Sequence, residues 1–138
     1  MEEKISTYLK ENKVLTLATS VDDKPYCAAC FYAYDEIDNM LIFSSDDHTK
    51  HITDANTNKV VAGTINTEIT TIVKIQGVQF TGVFINPTEE EAKNLYSIYY
   101  KKFPFARVKP APIWAIKLNW IKMTDNTLGF GKKLEWQL

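Results

Sequence analysis

Apolar residues recur at every second position through most of this chain, and at every third or fourth position in only three stretches. The first helical stretch covers residues 2–12, where Ile5, Tyr8 and Leu9 share one face among Lys and Glu. VLTLATS (14–20) then alternates, VDDKP (21–25) has turn chemistry, and YCAACFYAYD (26–35) resumes as a strand, which predicts a hairpin. A turn at DEIDN leads into MLIFSS (40–45) and completes an antiparallel meander.

DDHTKHITDANTN follows, with Ser45 or Asp46 as N-cap and few apolar positions beyond Ile52 and Ala55, so it predicts a short wet helix. KVVAGTI (59–65) and the long TIVKIQGVQFTGVFIN (71–86) are strands, and Gly77 and Gly82 mark the expected bulge or bend. Thr88 and Glu91 form a T-x-x-E capping box that opens a helix to about Phe103. IWAIKLNWIKMTD (113–125) alternates as a further strand, and DNTLGFGKKLEWQL closes the chain. The elements predict a single α+β domain over residues 1–138, mainly antiparallel β: a small barrel of about six strands with two or three peripheral helices.

Composition narrows the function classes. Sixteen basic and 17 acidic residues are interleaved, with a net charge of -1, so no field favours nucleic acid or anionic lipid. No apolar run approaches the roughly 18 residues of a membrane span, and MEEKISTYLKEN lacks the basic and apolar regions of a secretory signal, which sets the cytoplasm as the expected location. Cys27-Ala-Ala-Cys30 has the spacing of a redox motif, but on a strand the two thiols point to opposite faces, about 10 Å apart at 3.3 Å per residue, and a disulfide is not expected.

Chemistry concentrates in FSSDDHTKHITD (43–54). His48 and His51, with Asp47 or Asp54, could face a metal, yet H-x-x-H lacks the spacing and Glu of a zincin, and no metal is expected. Ser44, Ser45, Thr49 and Lys50 set hydroxyls and a cation at a strand end and helix start, a pattern that suits a phosphate; ordinary capping explains the same residues. With only two histidines and no G-x-S-x-G, a hydrolase triad has little to draw on.

Taken in order, LTLATS, DDKPYCAACFYAYDEIDNMLIFSSDDHTKHITDANTNKVVAGTI, IQGVQFTGVF and TDNTLGFGKKLEW resemble the pyridoxamine-phosphate-oxidase-like FMN-binding split barrels, closest to their uncharacterised YhbP-like branch. The resemblance implies a six-stranded Greek-key split barrel that forms a homodimer, with FMN in a cleft between subunits. It implies a phosphate site at Phe43, Ser44, Ser45, His48, Thr49 and Lys50, and a flavin ring beside Ala29, Cys30 and Phe31. It also implies a contact from Gln79 across the interface. The Arg and Lys that the oxidase proper carries on its second strand fall at Ala28 and Ala33. The implied activity is that of a small flavin-dependent oxidoreductase of unknown substrate. The alternative is a non-enzymatic module binding haem, another cofactor or a protein partner on the same barrel.

Overall fold

The computed structural model describes residues 1–138. Its elements run α1 (Glu3–Glu11), β1 (Val14–Val21), β2 (Lys24–Asp35), β3 (Met40–Ser44), α2 (Lys50–Thr57), β4 (Val60–Asn66), β5 (Gln76–Ile85), α3 (Glu89–Lys102), β6 (Ile113–Asp125) and β7 (Lys133–Gln137). Every strand pair is antiparallel, in the order β3-β2-β1-β4-β5-β6-β7, and β3 pairs again with β6. That last pairing closes six strands into the expected barrel.

The seventh strand is an addition to the expected six. The 13 residues of β6 are long enough to give Ile113–Lys117 to β3 and Trp120–Thr124 to β7 along one edge, so the barrel splits there. The β1–β2 hairpin turns on Asp22 and Asp23, with φ of 52° and 62°, the left-handed pair that a two-residue turn matched to strand twist requires. In β5 the register shifts between Thr81 and Gly82, at the second of the two expected glycines; Gly77 stays in a regular ladder. A Cβ on Gly82 would lie 2.6 Å from the Lys117 carbonyl oxygen, so only glycine lets β5 approach β6 this closely.

Inward positions fill one core of 21 residues, in which Phe84 packs on Phe43 and Trp114 with ring centroids 6.3 and 5.5 Å away. A second cluster lies outside the barrel wall: Leu95 and Tyr99 of α3 cover Ala33, Ile42 and Ala115. The expected capping box forms at Thr88 and Glu91. α2 starts three or four residues later than Asp46 or Ser45 would place it, with Thr49 as N-cap and no side-chain cap bond. Its Ile52 and Ala55 plug the barrel end. No helix is long and apolar enough to cross a membrane.

Candidate functional site

β2 is paired on one edge at a time. Lys24–Phe31 pair with β1, whereas Tyr32–Asp35 pair with β3, which stops at Ser44. Tyr32 N donates to Lys13 O at 2.9 Å, and because donors alternate along an antiparallel pair, the amides of Ala29 and Cys27 point away from β1, toward an edge that β3 does not reach. An open strand edge with free N–H groups is a ready donor row for an acceptor from outside the strand.

The outward face beside this edge carries no charge. Cys27, Ala29 and Phe31 project from it on β2, opposite Ala18, Thr16 and Val14 of β1. The same face continues through Val60, Ala62 and Thr64 of β4 into Gln79, Thr81 and Val83 of β5. Phe31 is 58% and Val60 69% exposed. Phe31 leans on Phe103 with centroids 5.6 Å apart, an aromatic wall at the edge's upper end.

The expected site residues separate into three groups. Ala29 and Phe31 lie on the open face, but Cys30 turns its side chain inward, where burial pushes the thiol up to about 11. Only its backbone neighbours can reach a ring there. Cys27 is exposed and Cys30 buried, on opposite faces as the strand reading requires. Gln79 shares a row with Ala29, Thr16 and Thr64, three strand steps away, or about 14 Å at roughly 4.8 Å per step. One chain does not bring Gln79 and Ala29 onto one small ligand. Gln79 instead borders a hollow of about 410 Å³ at the far end of the face.

The expected phosphate group is differently employed. Phe43 is fully buried in the core and can offer only its backbone. Ser44 donates its hydroxyl to the carbonyls of Ala111 and Pro112, at 3.2 and 3.1 Å. The Ser45 hydroxyl is hydrogen-bonded to His51 Nε2 at 2.7 Å, and Trp114 Nε1 donates to the Ser45 carbonyl. Burial holds His51 below the usual histidine range, so it is neutral at pH 7. His48 precedes α2 rather than lying on it, and its Nδ1 meets Asp47 at 2.7 Å. Thr49 donates to the Asp46 carbonyl.

Lys50 is the only lysine or arginine in residues 44–54, against Asp46, Asp47 and Asp54. Its ammonium lies 3.2 and 3.1 Å from the two carboxylate oxygens of Asp54 and 5.0 Å from the Tyr26 ring centroid. Asp54 is nearly buried and also accepts from the Thr19 hydroxyl at 3.2 Å, so Lys50 is the countercharge of that carboxylate. Thr19 and Tyr26 are not among the expected site residues, and Asp54 is named there only as a possible metal ligand, although the Lys50–Asp54 spacing of four on a helix is a legible signal. No three His, Cys, Asp or Glu side chains cluster as metal ligands would.

Proteins of known sequence place this arrangement. No family model matches the chain. A UPF0306 protein of Klebsiella pneumoniae is 41% identical over 96% of this chain and 90% of its own length, and one of Photorhabdus laumondii 43% identical over 96% and 93%. The chain belongs to the UPF0306 (YhbP) family. Among solved structures, this UPF0306 chain superposes on a haem-binding protein from Mycobacterium smegmatis with a TM-score of 0.77 at 14% identity, over 94% of this chain and 55% of that one. It also superposes on an FAD-binding protein from Mesorhizobium loti, with a TM-score of 0.73 at 16% identity over 89% and 94%. At such identities the likeness shows the fold, which is the pyridoxamine-phosphate-oxidase-like split barrel.

Proposed function

We propose that this UPF0306 protein binds a flavin, with the ring against the open edge and uncharged outward face of β2, and that it works as a small flavin-dependent oxidoreductase in the cytoplasm. The observation that carries the reading is the pair of free amides at Ala29 and Cys27, on an edge flanked by small side chains and closed above by Phe31. Ring carbonyls and ring nitrogens are the acceptors such amides suit, and alanine and cysteine let a flat ring approach the strand. The binding of FAD and of haem by the two solved proteins on this fold agrees with a planar cofactor. The chemistry a bound flavin supplies is hydride transfer between a reduced nicotinamide and a small acceptor, and the chain's part is to bind, orient and shield the ring.

The same reading makes the protein a homodimer. An uncharged face four strands wide, with Phe31 and Val60 exposed, matches the depletion of charge at interface cores. A second copy on this face would also bring the partner's Gln79 toward the ring that Ala29 holds.

The test is the absorption spectrum of freshly purified protein and its titration with added FMN. Twin flavin bands, with quenched flavin fluorescence on binding, support the proposal. A Soret band would assign the face to haem instead, and a colourless protein that leaves FMN fluorescence unchanged would sink the flavin reading. Thr64→Glu, which sets a carboxylate in the middle of the face, should convert a dimer to a monomer by light scattering.

A further inference from the structure

We infer that the site takes its flavin by the ring alone, so that riboflavin binds as tightly as FMN and the terminal phosphate contributes no affinity. The inference rests on the flavin reading above and concerns the other end of the same ligand.

A phosphate monoester carries a charge of about -1.5 to -2 at pH 7 and needs cations or several converging donors to leave water. The strand end and helix start that would receive it offer neither in sufficient number. The Lys50 ammonium is bonded to both oxygens of Asp54. Moving it onto a phosphate would leave a nearly buried carboxylate with a single hydroxyl donor, that of Thr19. His51 is held neutral and bonded to Ser45, His48 is engaged by Asp47, and Ser44 already donates into the 103–112 loop.

What remains is the set of amides at the start of α2, where the first helical bond is Thr53 N to Thr49 O. Asp46 and Asp47 stand in the three residues before the cap, so the local field opposes a dianion. Ala28 and Ala33 supply no charge from β2. The ring end has none of these conflicts. Its donors are backbone amides that nothing else uses, on a face without charge.

The experiment compares dissociation constants of riboflavin and FMN for the full-length wild-type protein, by fluorescence quenching at 50 mM and 500 mM salt. The expected result is a ratio within about threefold that does not change with salt, since no ion pair to the ligand is made. FMN binding tenfold or more tightly than riboflavin, with the advantage falling at high salt, would overturn the inference and leave the flavin reading standing. Binding of neither would overturn both. Asp54→Asn, which releases the Lys50 ammonium, adds a gain-of-function arm: FMN should become at least fivefold tighter than riboflavin. An unchanged ratio in a folded Asp54→Asn protein would overturn the account in which Asp54 withholds Lys50 from the phosphate. Should that variant fail to fold, the wild-type ratio decides.

Discussion

The two halves of β2 are one continuous strand with opposite fates. Tyr32–Asp35 pair with β3, and helices cover them: Tyr32 donates its hydroxyl to the Leu9 carbonyl of α1 at 2.7 Å, and Ala33 lies under Leu95 and Tyr99 of α3. Lys24–Phe31 pair only with β1, and their outward side chains are exposed at Cys27, Ala29 and Phe31. The two halves differ in which edge is paired and in what covers them. The barrel uses its helices where the strand must be stable and withholds them where the strand has donors to offer a ligand.

The comparison breaks most visibly at Phe43, which the family resemblance placed at the cofactor and the structure places in the core under the covered half. Phe43→Ala should cost about 3–5 kcal/mol of stability, the range for emptying a buried aromatic site, read from the urea midpoint. A loss under about 1 kcal/mol would mean that Phe43 is not core. Next in size is Lys50→Ala. Removing the countercharge of Asp54 should cost about 1–2 kcal/mol, less than for a deep pair because Lys50 is more than half exposed. Loss of FMN affinity without loss of stability would return Lys50 to the ligand.

Much of this division was readable before any coordinates. The bounds of β6 and the Thr88–Glu91 capping box follow from alternation and cap chemistry alone, because both signals are local. The opposite facing of Cys27 and Cys30 follows from the strand's period of two. The start of α2 was not legible, since Ser45, Asp46, Asp47 and Thr49 are all good caps within five residues. Long-range packing of Ile52 and Ala55 into the barrel end decided among them. The seventh strand depends on β6 sharing one edge between two partners, and Lys50's engagement on Thr19 fixing Asp54 in place; neither is a property of a window of residues.

His51, bonded to Ser45 just past the end of β3, tests the start of α2 with a smaller effect. Its folded pKa lies below the unfolded value near 6.5, so the unfolded chain binds the proton first as pH falls. Stability is therefore full above about pH 6.5 and declines as pH drops toward the folded value. His51→Asn should flatten that part of the urea-midpoint profile between pH 7 and pH 5. A wild-type profile that rises on acidification there would contradict a buried neutral imidazole.

Phe31, at the upper end of the open half, has a small effect on stability. Its ring is 58% exposed, and its main contact is the tilted pair with Phe103, so Phe31→Ala should cost only about 0.5–1 kcal/mol. Its effect on binding should be far larger, a loss of at least tenfold in flavin affinity, because the aromatic wall beside the free amides goes with it. Phe43→Ala should show the opposite ratio, a large loss of stability and, in the fraction that remains folded, near-normal affinity. The pair of variants thus measures stability and binding on two residues that face opposite sides of adjacent strands. If Phe31→Ala instead lowers stability by several kcal/mol and spares flavin binding, the open half is a structural surface, and its uncharged face exists only to meet a second copy of the chain.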